Sequence, residues 1–392
     1  MITVEEAILA VKNNCSPLKL TENIPLSEAL GFILSEDIIS PINMPPFSQS
    51  AMDGYALNLH DSNDYNLIDE IKAGDGHQPE LKKGDAVRIF TGAAVPKTAN
   101  AVIMQERVST IENNISIQGA INKNDNIRPL GEQVQKGALA LKKNTKLSPA
   151  AIGFLYSLGI TEASVFKKPK IALITTGNEL VEPGQNLEFG KIYESNSGMI
   201  ESALQQIGIE NVQSYKIKDD YSSTLETLKK AIALNDLVII TGGISVGDYD
   251  FVGKALHELK VDEVFYKVKQ KPGKPLFFGK KGDSHIFALP GNPAAALSCF
   301  YIYVYSALQI ILNNPAINLP RITAKSQTNY IKKGDRSQFL KAIYNNEKVS
   351  LLEGQSSAML QTFAISNALV YLPSDHSEIK MNEEIEVILL PI

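Results

Sequence analysis

Cysteine is nearly absent from this chain: Cys15 and Cys299 are the only two in 392 residues. That excludes a disulfide framework and a cysteine-built zinc site, and it suits a reducing compartment. A surplus of positive charge is also missing. The formal net charge is −5, so nothing points to nucleic acid as a partner. The opening residues, Met1-Ile-Thr-Val-Glu-Glu, lack the basic-then-apolar order of a secretory signal, and a cytoplasmic protein is expected. Long uncharged runs are missing too, apart from Ala294 to Leu312, about the length of a membrane span. That run holds Ser298, Ser306 and Gln309, and its tyrosines 301, 303 and 305 sit mid-run. Membrane tyrosines gather at the ends. A buried helix is therefore expected, with Pro293 in its first turn, and no membrane association.

What the chain has is one dense stretch from Asn235 to Asp250. Leu237 to Ile240 is a run of branched apolar residues that fits a strand buried on both faces. It leads into Thr241-Gly242-Gly243, where the missing Cβ atoms let the backbone turn sharply and approach a ligand. Ser245 and Gly247 continue the turn, and Asp248 to Asp250 open a helical pattern carrying Val252, Ala255, Leu256 and Leu259. Strand, glycine turn and helix start together suit an anion, phosphate above all. Carboxylates beside such a site call for a cation between, which points to Mg²⁺. The competing reading is a tight turn with an aspartate cap.

Two to four domains are expected from the length. Thr3 with Glu6 forms a capping-box pattern for a first helix, and Ser27 to Leu30 is a short second one. Pro41-Ile-Asn-Met-Pro45-Pro46 marks a boundary. A strand-like insertion covers about 42–140, and Ser148-Pro149 starts a helix ending at Gly159. Residues 1–168 are thus taken as an N-terminal α/β region with a β-rich insertion. From 169 to 315 strands and helices alternate: Ile171 to Thr175, a helix from Met199, Val212 to Ile217, a helix capped by Ser223 and Glu226, the central strand, and Val264 to Val268. This order predicts a doubly wound parallel α/β sheet with ligands at the carboxyl ends of its strands. Residues 316–392 hold only short strands and suggest a small β-barrel.

Gly243-Ile-Ser245-Val-Gly247 has the spacing of a hydrolase nucleophile elbow, and His257, His285 and His376 are available to complete a triad. The elbow puts its serine at the strand end, whereas Gly242, Gly243 and Ile244 intervene here, so hydrolysis is the lesser reading. Lys267, Lys269, Lys271 and Lys274 crowd together, and strand alternation would point the first three the same way. Either they are a solvated face, or the loop pinned by Pro272, Gly273 and Pro275 holds a dense anion. The second reading is favoured. Glu179, Asp219, Asp220, Asp236, Asp248 and Asp250 fall near strand ends of the same sheet, and some of them facing the lysines would make a metal–phosphate site.

With these residues in view, the chain resembles the molybdopterin molybdenumtransferase family, bacterial MoeA and the gephyrin E domain among its members, over essentially its whole length. The motifs are Ser50-Ala-Met-Asp-Gly-Tyr-Ala56, Arg88-Ile-Phe-Thr-Gly-Ala93 with Gln105-Glu106, Thr176-Gly-Asn-Glu-Leu180, Thr241-Gly-Gly-Ile-Ser-Val-Gly-Asp248, Lys271-Pro-Gly-Lys-Pro275 and Leu289-Pro-Gly-Asn-Pro293. The resemblance implies four subdomains, a homodimer, and insertion of molybdate into adenylylated molybdopterin with release of AMP, aided by Mg²⁺. It places Thr241, Gly242, Gly243, Ser245, Gly247, Asp248 and Glu179 at the nucleotide–pterin site, with Asp250 the carboxylate most needed. Gly291 and Asn292 are counted with them. Asp250, Glu179, Asp219 and Asp220 are the metal candidates. Lys271, Lys274 and Pro275 fall to the molybdate region, with Arg336 and Ser356 or Ser357; Lys267 is counted with the cofactor-binding residues, and Asp250, Glu179, Lys271 and Lys274 are the catalytic candidates. Asp53 and Thr91 would reach the site of the other subunit. The preceding adenylyltransferase and the apo-molybdoenzymes are the implied protein partners. Two departures stand out: Gln133 follows Glu132 where the family commonly has Asp, and Ala294-Ala295 follow Pro293 where a Ser is common. A non-catalytic, gephyrin-like interaction scaffold is the rival reading, and no long linker or basic tail supports it.

Overall fold

Ile171–Thr176 and Leu237–Thr241 are buried at every position, as apolar runs in the middle of a covered sheet must be. They belong to a computed structural model of the chain that describes residues 1–218, 220–244 and 251–391. Two compact units appear. The first comprises Met1–Glu22, Gly31–Ile33 and the chain from Phe166 onward; the second comprises Asn23–Leu30 and Leu34–Val165.

The first unit begins with α1 (Val4–Asn14), which buries Val4, Ala7 and Val11. Thr3 Oγ1 accepts from Glu6 N at 3.1 Å, and Thr3 N donates to Glu6 Oε2 at 2.8 Å. This is the reciprocal box expected from the sequence. Thr3→Ala should lower stability by about 1 kcal/mol, seen as a lower urea midpoint with the slope unchanged.

The α/β part then runs β1 (Ile171–Thr176), α2 (Asn196–Gln206), β2 (Val212–Ile217), α3 (Tyr221–Leu234), β3 (Leu237–Thr241), α4 (Phe251–Glu258), β4 (Asp262–Tyr266), β5 (Gln270–Lys271), β6 (Phe277–Lys281) and β7 (Ser284–Leu289). The sheet order is β2-β1-β3-β7-β6-β4. The first four strands are parallel, and β6 and β4 add an antiparallel edge. Alternate residues face opposite cores. Ile171, Leu173, Leu237, Ile239, Phe287 and Leu289 join α1, α2 and the long apolar helix. Ala172, Ile174, Val238, Ile240, Ile286 and Ala288 join α3 and α4. Helices on both faces make the sheet doubly wound.

That long helix is α5 (Pro293–Cys299), a π-helical turn over Phe300–Val304, and α6 (Tyr305–Ile311). It is long and apolar enough to cross a membrane, yet 83% of it is buried inside the protein, with Phe300 and Tyr303 wholly enclosed. The expected buried helix is what forms. Burial pushes the thiols of Cys15 and Cys299 up to about 12.

The same unit ends in a closed barrel of β8 (Arg321–Ser326), β9 (Ser337–Asn345), β10 (Lys348–Leu351), β11 (Ala368–Leu372) and β12 (Glu384–Leu389), joined β9-β10-β8-β12-β11-β9. β5 extends it in parallel, with Gln270 opposite Ser337 and Lys271 opposite Gln338.

The second unit carries a six-stranded sheet whose neighbours run Ala101–Met104, Gly54–Leu57, Asp85–Ile89, Asp64–Ile71, Asn114–Ile117 and Val108–Ile111. Its helix Pro149–Ser157 is capped by Ser148, which accepts from Ala151 N at 3.2 Å.

Several local expectations change. Ser27 to Leu30 is a 3₁₀ turn over Leu26–Glu28. The helix expected from Met199 starts three residues earlier, at Asn196. The next is capped by Asp220, which accepts from Ser223 N at 2.8 Å, rather than by a Ser223–Glu226 box. The strand expected over 264–268 ends at Tyr266, because Lys267 adopts a left-handed φ of 69°. Lys267, Lys269 and Lys271 therefore share no strand face.

Candidate active site

The carboxyl ends of β1, β3 and β7 release the chain into three glycine-bearing turns. Gly242 has φ +83°, and a Cβ there would lie 2.4 Å from Thr176 O; at Gly243 it would meet Thr176 Cγ2 at 2.6 Å. Gly291 stands beside Gly242, where a Cβ would make an ordinary contact, 3.6 Å from Gly242 Cα. The β3 turn can press this close to Thr176 only because Gly242 and Gly243 lack side chains.

Where the turns meet lies a cavity of about 650 Å³, lined by Thr176, Gly177, Glu179, Thr241, Gly242, Gly243, Pro275, Gly291 and Asn292, with the Tyr193–Asn196 corner on one wall. A larger cavity of about 950 Å³ shares, among the described residues, only Ile244 with it and has mostly apolar and α4 residues as lining. The converging turns, not the volume, single out the smaller one.

Two helices begin at its edge. The start of α2 is already occupied: Glu194 Oε1 accepts from Asn196 N at 2.7 Å and from Ser197 N at 3.0 Å. The start of α5 has no side-chain cap, with Asn292 before it and Pro293 in its first turn. Its positive end favours an anion nearby, although Pro293 has no N–H and Ala295 N already donates to Ser357 O at 3.2 Å. Thr241 Oγ1 and Asn196 Oδ1 are buried without a hydrogen-bond partner among the described residues. Buried polar atoms are ordinarily paired, so both are available to a bound polar ligand.

Asn292 Nδ2 donates to Ser357 Oγ at 2.9 Å and Ala295 N donates to Ser357 O at 3.2 Å. These bonds bring the segment after β10 to the cavity, and Ala358 lines it.

Next to Pro275 stands the lysine loop. Gln270, only 1% exposed, donates through Nε2 to Gly273 O at 3.1 Å and accepts from Tyr303 Oη. A Cβ on Gly273 would fall 2.4 Å from Cys299 Sγ. The loop is therefore pinned from below. Arg336 Nη1 donates to Gln270 O at 3.2 Å, next to exposed Lys271 and Lys274. Lys267 Nζ lies 4.7 Å from the Tyr266 ring centre, and Lys269 pairs with Asp335 at 2.9 Å.

On the second unit, Thr91 N and Oγ1 both donate to Asp53 Oδ1 at 2.7 Å. The Thr91 amide first, and its hydroxyl second, hold the Asp53 carboxyl below its ordinary range.

Comparison with known proteins decides what this arrangement belongs to. Residues 2–159 match the profile "MoeA N-terminal region (domain I and II)", residues 172–310 "Probable molybdopterin binding domain", and residues 323–390 "MoeA C-terminal region (domain IV)". Molybdopterin molybdenumtransferase of Haemophilus influenzae is 35% identical over 398 aligned residues, covering 99% of this chain and 98% of the relative. That of Staphylococcus epidermidis is 33% identical over 401, covering 99% and 95%. A molybdopterin biosynthesis MoeA protein of Pyrococcus horikoshii aligns over 100% of both chains at 30% identity, with TM-score 0.86. The chain belongs to the molybdopterin molybdenumtransferase family.

Of the residues that the family resemblance singled out, the structure brings Glu179, Thr241, Gly242, Gly243, Pro275, Gly291 and Asn292 to one cavity. Ser357 is bonded to its rim. Lys267, Lys271, Lys274, Arg336 and Ser356 do not line it, and Asp220 is a helix cap. Asp219, Ser245, Gly247, Asp248 and Asp250 lie outside the described residues. Among the described residues no three His, Cys, Asp or Glu side chains are grouped to hold a metal. Sequence reasoning missed Asn196, Glu194 and Ala358. The first two had a signal, Glu-Ser-Asn just ahead of a helical pattern; Ala358 had none.

Proposed function

We propose that this chain inserts molybdenum, supplied as molybdate, into adenylylated molybdopterin and releases AMP. The observation that carries the reading is the meeting of Thr241-Gly242-Gly243, Gly291-Asn292 and Ser357-Ala358 around one cavity, in a chain of this family. Bare backbone and the uncapped start of α5 suit phosphate oxygens. Thr241 Oγ1 and Asn196 Oδ1 offer partners to polar groups of the pterin or nucleotide. Lys271, Lys274 and Arg336, beside Pro275, form the cationic side to which molybdate would be drawn as a point charge.

Mg²⁺ is commonly held by one or two carboxylates together with substrate phosphates. Glu179 lines the cavity and is the described carboxylate that fits this part, with Asp250 its expected companion. When bound, the ion would offset the charge of the phosphoanhydride. We also propose a cytoplasmic homodimer in which the partner subunit's Asp53 and Thr91 complete the site. A monomer mass by light scattering at micromolar concentration would overturn that part.

The test is single-turnover AMP release from adenylylated molybdopterin with molybdate titrated. A saturable rise in the release rate is expected. Binding without release, at any molybdate or Mg²⁺ concentration, would sink the reading and leave the non-catalytic scaffold.

A further inference from the structure

β9 places a lysine inside the barrel wall. Lys341 is only 4% exposed, and burying an ammonium is costly unless its donors are fully met. Three backbone carbonyls meet them: Gly354 O at 2.8 Å, Ser356 O at 3.1 Å and Met359 O at 3.1 Å. The backbone of the same residue is gripped in return. Lys341 N donates to Gln355 Oε1 at 2.9 Å, and Gln355 Nε2 donates to Lys341 O at 2.9 Å and Leu352 O at 2.7 Å. Between Leu351 and Leu360 the chain has neither strand nor helix, so these bonds fix what no ladder does. The held segment contains Ser357, bonded to Asn292 and Ala295, and Ala358, which lines the cavity.

An apolar side chain at this strand position would spare the barrel a buried charge. Barrel stability alone therefore does not account for a lysine here. Its donors are spent on one segment, and that segment closes one wall of the site.

We propose that Lys341 and Gln355 form a clamp that sets Ser356, Ser357 and Ala358 against the Asn292–Pro293 turn, making Lys341 a positioning residue for the molybdate step. The inference rests on the proposed function. Loss of the clamp leaves the glycine turns and Glu179 in place, because none of its bonds involves them. It loosens the wall toward the oxyanion, so the molybdate requirement should suffer before the maximal rate does.

The experiment compares the full-length protein with Lys341→Met and Gln355→Leu, measuring maximal AMP release and the molybdate concentration giving half of it. Both variants should need at least roughly tenfold more molybdate, equivalent to about 1.4 kcal/mol, while the maximal rate stays within about threefold. Hydrogen exchange in the peptide spanning 352–359 should quicken in both. A purely structural role would lower melting temperature and active fraction and leave half-saturation unmoved; that result overturns the clamp. If Lys341→Met does not fold, the half-buried Gln355 decides alone, because its loss leaves no charge unpaired. No molybdate response in the unsubstituted protein overturns the functional reading and the positioning role with it. A normal response there with unshifted half-saturation in the variants overturns the clamp only.

Discussion

Glutamine in place of Glu179 should slow AMP release by about a hundredfold or more, roughly 2.7 kcal/mol of transition-state stabilisation, and leave the melting temperature nearly unchanged. Glu179 is exposed and lines the cavity at the end of β1. Its backbone, not its carboxylate, makes the local structural bond: Ile192 N donates to Glu179 O at 2.9 Å. Glutamine keeps that bond and the side-chain shape, and removes only the charge. If the carboxylate helps to hold Mg²⁺, raising the Mg²⁺ concentration should recover part of the rate, and the variant's Mg²⁺ requirement should rise. Single-turnover release across a Mg²⁺ titration measures both. Near-normal turnover at ordinary Mg²⁺ would remove Glu179 from the metal-binding set and leave the burden on Asp250. Asp250→Asn is the companion variant, since asparagine serves a cap position about as well as aspartate and lacks only the charge.

A large loss of stability should come from Gly242→Ala. A left-handed residue with a Cβ costs roughly 1–2 kcal/mol, and forcing that Cβ to within 2.4 Å of Thr176 O adds about 1–3 kcal/mol of overpacking. The sum is a large share of the 5–15 kcal/mol typical of a domain. Gly282→Ala is the matched control. It also has positive φ, +59°, but nothing lies within 4 Å of the added carbon, so it bears the backbone cost alone. Urea unfolding of the two variants side by side should place Gly242→Ala clearly below Gly282→Ala. Equal midpoints would mean that the meeting of the β1 and β3 turns is looser than described.

Why some of this could be foreseen and some could not follows from the forces involved. β1 and β3 were legible because a strand covered on both faces must be apolar at consecutive positions. The glycine turns were legible because close backbone approach leaves few alternatives to glycine. The Thr3–Glu6 box is local and needs no tertiary context. β6 escaped notice, since Phe277-Phe278-Gly279-Lys280-Lys281 carries a glycine and two lysines that argue against a strand. The lysine alternation failed for a single dihedral: Lys267 turns left-handed and the period of two is lost. Asp220 won the cap over Ser223 because either side chain is suited to the position, and the first available one set the helix start. Ala358 belongs to the cavity only through the docking of the barrel segment on Asn292, which no local pattern encodes.

The two thiols acquire a further meaning in a protein that handles a heavy metal bound for sulfur. Thiolates are soft ligands, and a free one near the cargo would compete with the dithiolene for it. Cys299 stands directly beneath the lysine loop, against Gly273, yet it is enclosed and its ionisation is pushed up to about 12; Cys15 is held back in the same way. At neutral pH both remain protonated and out of reach. On the proposed function, molybdate drawn to that loop would meet no rival trap in the protein's own sulfur, and the cysteines should stay silent to thiol reagents until the first unit opens.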